Sequence, residues 1–536
     1  MDRDLPAASA SRRDLLRMIG AGAGITAMHH AMSSLGVAGE SPYRGPIDLQ
    51  GAPPGASVLI LGAGIAGLSA ALELRNAGYQ VQVLEFNTRP GGRTWTLRGG
   101  DSYTELGGFT QQCGFAKDQY INPGPWRIPH HHRGLLSYCK RLGVPLEPFV
   151  QINYNAYLHS SRAFGGKPRR YREIKADYQG YVAELLAKAT RQNALDAAVS
   201  QEDRDRLLES LRDWGALDKN DAYAANEVSS NRRGYRREPG GGIGGRPLAS
   251  SPDTRSEILD SRLWKALSRA DAFDMQPSLF QPVGGMDQIT AAFGRELAPV
   301  IRYGAKVVDI RQDDHGVSVL YEDTHAPGSR LKARADWCLC TIPLPILAQI
   351  PMNVGAALAS AIAAVPYAAS VKVGLQFNRR FWEEDEQIYG GITYTDMPIS
   401  NIAYPNTGFH GGGKAVLLGA YIFGPSAMEF TAMTPQERIE KALDYGSQIH
   451  PQYRREFDNG IAVAWHRSPF TMGCFSAWSS EARERHYDDL CAIDGRIALA
   501  GEHVSFLNGW QEGAVTSALD AIGRLHQRAT GQGARA

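Results

Sequence analysis

Residues 57–67 read Ser-Val-Leu-Ile-Leu-Gly-Ala-Gly-Ile-Ala-Gly, an apolar run followed by three spaced glycines. The apolar, partly β-branched residues 57–61 are typical of a buried parallel strand. A helical pattern follows from Ile65 to Ala77, and a second short strand ends at Glu85. The sequence therefore predicts a β-α-β unit that begins a parallel sheet.

The spaced glycines stand between the predicted strand and helix, which is the context of a dinucleotide-binding turn. Gly62 permits the tight turn, Gly64 lets backbone approach a pyrophosphate, and Gly67 lets the helix pack closely on the strand. The helix N-terminus favours the negative charge of the pyrophosphate. Glu85 lies about 20 residues further on, where an acid accepts hydrogen bonds from a ribose. These residues predict either NAD or FAD as the ligand.

The composition indicates a large folded chain. Its 536 residues suggest two or three domains at about 150 residues each. Lys plus Arg number 57 and Asp plus Glu number 56, which argues against a nucleic-acid partner. The hydrophobic fraction of 43% excludes global disorder. The 6 cysteines are too few for a disulfide scaffold in so long a chain. They include no C-x-x-C pair, so neither a zinc site nor a thioredoxin-like site is predicted.

The N-terminal residues 1–38 resemble an export signal. Arg12 and Arg13 precede a weakly apolar run at 18–28, and Gly36-Val-Ala offers a small-residue cleavage site. We expect export by the twin-arginine route; the alternative is a disordered tail on a cytoplasmic protein. The apolar run is too short to span a bilayer, which takes about 20 residues, and no membrane partner is predicted.

Two further motifs decide between the cofactors. Residues 89–93, Arg-Pro-Gly-Gly-Arg, directly follow the ribose acid and resemble the extended fingerprint of flavin-dependent amine oxidases. Residues 497–502 (Ile-Ala-Leu-Ala-Gly-Glu) and 509–514 (Gly-Trp-Gln-Glu-Gly-Ala) resemble that family's closing strand and helix. The resemblance covers most of residues 55–525 and implies FAD.

The resemblance implies an α/β fold in which a Rossmann-type FAD-binding domain joins a mixed-sheet substrate domain and a helical subdomain. The domains are discontinuous in sequence, and a homodimer is expected. The expected boundaries are 53–112, 281–365 and 485–528 for the FAD-binding domain, 113–165 and 366–484 for the substrate domain, and 166–280 for the helical domain.

The same resemblance implies a set of cofactor-binding residues, which combines the glycine turns with the closing helix. It comprises Gly62, Gly64, Ile65, Ala66, Gly67, Glu85, Phe86, Arg89, Gly91, Gly92, Arg93, Gly107, Val307, Gly501, Glu502, Trp510, Glu512, Gly513 and Ala514.

The substrate class depends on one arginine. Residues 124–129, Gly-Pro-Trp-Arg-Ile-Pro, resemble the segment of L-amino-acid oxidases whose arginine, here Arg127, holds the substrate carboxylate. Its planar fork can pair both carboxylate oxygens. Tyr404 matches the tyrosine that gives the carboxylate a second hydrogen bond. The link 109–122 is longer than is usual in the family.

Four other residues match the family's reaction site. Lys372 matches the lysine that reaches the flavin N5 atom through a water and assists reaction with oxygen. Trp510 and Phe475 match aromatic walls beside the flavin, and Gly509 leaves room for the substrate amine. A lysine in an apolar strand supports this reading, because burial of its charge alone is costly.

Cys474 occupies the position where monoamine oxidases attach the flavin covalently. We expect non-covalent FAD, with a covalent link at Cys474 as the alternative, because a free cysteine usually acts as a small buried hydrophobe. His130, His131 and His132 are consecutive, so their side chains are not expected to converge on one metal ion.

The sequence as a whole predicts an L-amino-acid oxidase that uses O2 and releases a 2-oxo acid, ammonia and hydrogen peroxide. Two enzymes share this scaffold and stay open: an oxidase of primary amines or polyamines, and an amino-acid 2-monooxygenase. A nucleotide-binding sensor without turnover is the non-enzymatic alternative. Arg127 argues against the amine oxidase and Lys372 against the sensor.

Overall fold

The computed structural model describes residues 41–192, 194 and 199–531. The predicted export signal at 1–38 lies outside these residues, and it stays a prediction, as does the homodimer. Within the described ranges, no helix combines the length and apolarity that a bilayer span requires.

A five-stranded parallel sheet forms one half of the molecule, and its strands come from three distant parts of the chain. The first strand is fully buried from Val58 to Leu61, because both of its faces are covered. The order across the sheet is Ile301–Arg302, Gln80–Leu84, Ser57–Leu61, Trp337–Cys340 and Ile497–Leu499.

Each face of this sheet has its own cover. Val58 and Ile60 pack toward the helix Ile65–Asn76 and the final helix Gln511–Ala529. Leu59 packs toward an antiparallel three-stranded sheet on the other face. That sheet comprises Ala305–Asp313, Gly316–Asp323 and Arg330–Ala335.

A seven-stranded mixed sheet forms the other half of the molecule. All eight residues of its strand Ser370–Phe377 are buried. In order across the sheet, the strands are Arg169–Arg170, Tyr157–His159, Ile392–Thr395, Asn401–Ala403, Ala415–Phe423, Ser370–Phe377 and Phe457–Ala464.

A small antiparallel sheet joins segments that are far apart in sequence. Leu279–Pro282 pairs with both Ile128–Pro129 and Leu146–Phe149. This pairing brings the end of the helical region next to residue 127. Two further pairs of strands are Leu97–Arg98 with Tyr120–Ile121, and Ser102–Thr104 with Thr110–Gln112.

Helices dominate residues 171–275. They are Tyr171–Arg191, Gln201–Gly215, Glu227–Arg233, Arg255–Ser261 and Trp264–Leu267, followed by the 3-10 turns Ser268–Ala270 and Phe273–Met275. The glycine-rich loop 240–245 is a surface turn, in which the Gly240 N–H donates to the Gly245 carbonyl at 2.9 Å.

The remaining helices cover the sheet faces and edges. The α-helices are Arg133–Arg141, Asp287–Glu296, Leu344–Leu347, Ala356–Ala364, Phe381–Glu384, Gly424–Ala432, Pro435–Gly446, Tyr453–Glu456 and Ser480–Cys491. The 3-10 turns are Phe164–Gly166, Ala298–Val300, Trp465–Arg467 and Glu502–Val504.

Candidate active site

A cavity of about 700 Å³ opens beside the carboxyl ends of the parallel strands, between the two large sheets. This is the edge at which open α/β sheets bind ligands. Many residues singled out from the sequence line it: Gly62, Gly64, Ile65, Ala66, Glu85, Phe86, Gly91, Gly92, Arg93, Arg127, Val307, Cys474, Phe475, Gly501, Glu502, Gly509, Trp510 and Ala514.

The glycine turn forms one end of the cavity, and its three glycines have different surroundings. Gly62 has a φ of +106°, which L-residues rarely adopt. A Cβ on Gly67 would lie 2.0 Å from the Gly62 carbonyl oxygen, so the helix packs tightly on the turn. A Cβ on Gly64 would meet nothing within 4 Å. The open side of Gly64 therefore gives a pyrophosphate direct access to the helix N-terminus.

Glu85 is fixed at the end of the second strand. Its Oε2 accepts from the Ala63 N–H at 2.6 Å, and its Oε1 accepts from the backbone N–H and the side-chain amide of Asn87 at 2.8 Å. A carboxylate oxygen carries two lone pairs, so Oε1 is fully used by these two bonds, whereas Oε2 can still accept a hydroxyl hydrogen bond. The turn, the acid and the open space beside Gly64 fit a dinucleotide.

A buried ion pair organises the middle of the cavity. Arg93 Nη1 lies 2.7 Å from Glu502 Oε1 and donates to the Cys474 carbonyl at 2.8 Å. Glu502 also accepts from the Gly509 N–H at 3.1 Å. Burial disfavours the charge of Glu502, but the nearby Arg93 and His503 lower its pKa below the usual value. The pair therefore ties three distant segments together around one charged group.

Three residues predicted to bind the cofactor, Arg89, Gly67 and Gly107, do not line the cavity. Arg89 donates to the carbonyls of Pro90 and Gly92 and stacks over Trp95 at 4.8 Å, so it stabilises the second glycine turn. Gly67 packs the helix on the strand. Gly107 lies in an exposed loop with a φ of +103° and does not line the cavity.

Glu512 and Gly513, both predicted to bind the cofactor, do not line the cavity. The Glu512 oxygens accept from the Gly134 and Leu135 N–H groups at 2.8 and 2.7 Å, at the start of the helix Arg133–Arg141. The carboxylate satisfies free amides of that helix. A Cβ on Gly513 would lie 2.2 Å from the Leu507 carbonyl oxygen. Both residues pack the final helix and face away from the cavity.

Arg127 lies at the opposite end of the cavity from the glycine turn. Its Nη2 donates to the Met275 sulfur at 2.9 Å, and its guanidinium stacks on Trp126 and Trp510 at 5.2 and 5.7 Å. Among the described residues, no carboxylate lies within 4.0 Å of it, and its buried Nε has no hydrogen-bond partner. Burial lowers its pKa. A desolvated cation with unused donors favours an anionic ligand.

Lys372 lies directly behind the aromatic wall. Its Nζ donates to the carbonyls of Asn122 and Gly124 and lies 4.9 and 4.3 Å from the rings of Trp126 and Tyr421. Burial lowers its pKa to about 7, and the charge of Arg127 acts in the same direction. Near neutral pH this lysine therefore has both charged and neutral forms.

The structure places Tyr404, predicted to bind the substrate carboxylate, away from the cavity. Its hydroxyl lies 2.8 Å from Thr393 Oγ1 and 2.7 Å from His450 Nε2, within a buried network outside the cavity. The tyrosine that lines the cavity is Tyr421, the strand partner of Lys372. The sequence places both tyrosines in strand-rich segments, but only the pairing of Ala415–Phe423 with Ser370–Phe377 shows which one faces the site.

Cys474 lines the cavity next to Phe475. Burial raises the pKa of its thiol to about 11. Since the thiolate is the reactive form, the thiol of Cys474 is a weak nucleophile at neutral pH.

His131, His132 and Asp274 form a cluster that the sequence did not indicate. Their potential ligand atoms lie within 4.8 Å of one another, and all three residues are buried. The ring nitrogens of the adjacent His131 and His132 thus do come close together. Asp274, from the 3-10 turn Phe273–Met275, is the third member of the group. Asp274 Oδ1 lies 3.5 Å from His131 Nε2, so the charge of the carboxylate lies close to this imidazole.

Residues 65–525 match the model of the flavin containing amine oxidoreductase family. The chain belongs to this family. Family membership makes the protein a flavin-dependent oxidoreductase and implies FAD as its cofactor, which agrees with the open glycine turn and the fixed acid.

Two relatives named as L-amino-acid oxidases are similar over most of the chain. An L-amino-acid oxidase of Siganus canaliculatus is 30% identical, over 88% of this chain and 85% of its own length. The "Putative L-amino-acid oxidase YobN" of Bacillus subtilis (strain 168) is 28% identical, over 86% of this chain and 93% of its own length.

Two solved amine oxidases share the fold. Cyclohexylamine oxidase from Brevibacterium oxydans IH-35A has a TM-score of 0.57 at 16% identity, over 90% of this chain and all (100%) of that one. Wild-type putrescine oxidase bound to putrescine has a TM-score of 0.54 at 18% identity, over 90% of this chain and 100% of that one.

Proposed function

We propose that the protein oxidises L-amino acids with O2 to 2-oxo acids, ammonia and hydrogen peroxide. The observation that carries this proposal is Arg127, a desolvated guanidinium at the wall of the cofactor cavity with no carboxylate of the protein within 4.0 Å among the described residues. The relatives named as L-amino-acid oxidases support the same substrate class.

Arg127 gives the reaction its selectivity. Its planar fork can hold both oxygens of a substrate carboxylate, which fixes position and orientation together. A simple amine lacks this group and would leave the buried cation unpaired, at a cost of about 1–3 kcal/mol or more. The site should therefore prefer amino acids to amines.

The chain's other residues hold the substrate against the cofactor. Trp510 and Phe475 supply apolar walls, and the Gly509 carbonyl can accept from the substrate amine. The Tyr421 hydroxyl offers a further hydrogen bond at the carboxylate end. This fixed placement lowers the entropic cost of reaching the reactive geometry. Bound FAD supplies the two-electron oxidation and passes the electrons to O2.

The proposal predicts the products as well as the substrates. The holoenzyme should form peroxide and ammonia with L-amino acids in a panel of the twenty amino acids and several amines. Arg127→Ala should raise KM for amino acids about 100-fold with FAD still bound, since charged hydrogen bonds contribute roughly 1.5–3 kcal/mol. Arg127→Lys keeps the charge but loses the planar fork, so its KM should lie between that of the unmodified enzyme and that of Arg127→Ala.

Arg334→Ala provides a matched control, because Arg334 is half exposed on the antiparallel sheet and far from the cavity. Its KM should equal that of the unmodified enzyme. Peroxide from amines but not from amino acids would contradict the proposal. An amide product with carbon dioxide would instead identify an amino-acid 2-monooxygenase, and no product at all would favour a sensor.

A further inference from the structure

A buried cluster of three potential metal ligands lies where the helical region meets the rest of the chain. His131 and His132 follow shortly after the strand Ile128–Pro129. Asp274 comes from the 3-10 turn Phe273–Met275, which we call the contact turn. The three side chains are 4%, 1% and 3% exposed. None of them lines the cavity, and the reaction proposed above uses none of them.

The polar atoms of this cluster have the spacing of metal ligands rather than that of hydrogen-bond partners. Asp274 Oδ1 lies 3.5 Å from His131 Nε2, beyond the roughly 2.7–3.2 Å of an N–H···O hydrogen bond. Two ligands of a tetrahedral zinc ion are about 3.3 Å apart, since each lies about 2.0–2.1 Å from the metal. All three ligand atoms lie within 4.8 Å of one another, so a shift of about 1 Å by one ring closes the shell around an ion.

Two atoms of the cluster are left without a hydrogen bond. Within the parts of the chain that the structure describes, neither His132 Nε2 nor Asp274 Oδ1 has a hydrogen-bond partner, and both atoms are buried. Native structures leave few buried polar atoms unsatisfied, because burial without a partner is costly. A cation would satisfy both atoms at once, since an imidazole nitrogen and a carboxylate oxygen each offer it a lone pair.

The surroundings hold the two sides of the cluster together without an ion. The His130 N–H donates to the Ser278 carbonyl at 3.0 Å, which ties the two backbone segments to each other. The Phe273 ring of the contact turn stacks on the His131 ring, with the centroids 4.4 Å apart. Ligands that are already close together reduce the ordering cost of binding.

We propose that His131, His132 and Asp274 form a zinc site that fastens the contact turn to the start of the helix Arg133–Arg141. Zinc accepts two imidazole nitrogens with one carboxylate oxygen, and three protein ligands leave a fourth position for water. The site goes beyond the proposed function and does not depend on it.

One nearby charge opposes the ion. Arg127 Nη2 donates to the sulfur of Met275, the residue after Asp274, so a guanidinium lies close to the site. Like charges repel, and the affinity for zinc should therefore be lower than at a site of four cysteines. In return, an ion bound to Asp274 fixes the contact turn and thereby holds Met275 against Arg127.

The test is zinc binding by the FAD-loaded enzyme after chelator treatment. Equilibrium dialysis uses free Zn²⁺ at about 10 µM, which fills sites of micromolar affinity, and mass spectrometry counts the metal. The unmodified enzyme should hold one zinc ion more per chain than either Asp274→Asn or His132→Gln. His130→Ala is the matched control, because His130 is an exposed neighbour outside the cluster, and this variant should keep the ion.

Two further measurements report on the ligands and on the fastening role. X-ray absorption at the zinc edge should show nitrogen and oxygen neighbours at about 2.0–2.1 Å and no sulfur at about 2.3 Å, which would exclude cysteine ligands. Zinc should raise the Tm of the unmodified enzyme by about 2 °C or more and leave that of Asp274→Asn unchanged. Zinc should also slow hydrogen exchange in the contact turn of the unmodified enzyme alone.

Equal zinc contents in the unmodified enzyme, Asp274→Asn and His132→Gln would overturn the inference, as would sulfur around the metal. Zinc bound without slower exchange in the contact turn would overturn the fastening role. If a variant loses FAD, X-ray absorption of the unmodified enzyme still decides, since it needs no substitution. A chain that binds zinc here without oxidising amino acids would contradict the proposed function only.

Discussion

The two ends of the cavity are built in different ways. The cofactor end is largely local: the glycine turn, its helix and the acid Glu85 lie within residues 57–93 and depend on backbone geometry. The substrate end combines Arg127, Met275, Lys372 and Tyr421 from four distant segments. A motif can therefore specify the first end, whereas the second end exists only after the sheets and the helical region have packed.

The largest effect is expected from Gly67→Ala, at the cofactor end of the cavity. A Cβ there would lie 2.0 Å from the Gly62 carbonyl, so the helix must shift away from the strand. The variant should purify without FAD, and its free energy of unfolding should fall by about 1–3 kcal/mol, as overpacking usually costs.

Gly64→Ala is the matched control for this change. A Cβ at Gly64 meets nothing within 4 Å in the protein, so the apo form should keep its thermal stability and only FAD affinity should fall. Equal destabilisation of both apo variants would show that packing does not distinguish the two glycines.

Lys372→Met, at the substrate end of the cavity, should have a smaller but still large effect. Reoxidation of the reduced flavin should slow at least tenfold, and reduction by substrate much less, since a buried cation favours developing negative charge. In the unmodified enzyme this rate should fall as the pH rises through about 7, where Lys372 loses its proton.

Stopped-flow measurement of both half-reactions checks this prediction. Lys414→Met changes a surface lysine that pairs with Asp458, and it should leave both rates unchanged. Equal slowing of the two half-reactions in Lys372→Met would remove the proposed oxygen role of this residue.

The smallest effect separates two tyrosines. Tyr421→Phe should raise KM for amino acids about fivefold with unchanged stability, because a neutral hydrogen bond contributes about 0.5–1.5 kcal/mol. Tyr404→Phe should leave KM unchanged but reduce the free energy of unfolding by roughly 1–3 kcal/mol, since buried Thr393 and His450 lose their partner.

Kinetics on the two single variants, together with their denaturation curves, decide between these roles. The reverse pattern, with a KM change in Tyr404→Phe alone, would restore the assignment made from the sequence.

The errors at the substrate end share one cause. Tyr404 is indicated only by its match to a family tyrosine, whereas Tyr421 lies in a strand that carries no recognised motif. Alternation along a strand says which residues share a face but not which face meets the cavity. Glu512 lies in a motif that resembles the family's flavin contacts, yet its carboxylate accepts from the amides of a neighbouring helix. Side-chain direction depends on packing partners that the motif does not contain.

The sequence by itself determined the parallel β-α-β unit, the dinucleotide turn and the flavin family, because glycine spacing and hydrophobic periodicity act over short stretches of chain. It also singled out Arg127 by its local motif. Only the tertiary structure decided that Tyr421 lines the cavity and that Met275 contacts Arg127. The pairing of Ala415–Phe423 with Ser370–Phe377 places Tyr421, and the pairing of Leu279–Pro282 with Ile128–Pro129 brings Met275 to Arg127. Both pairings are long-range, so no local pattern encodes them.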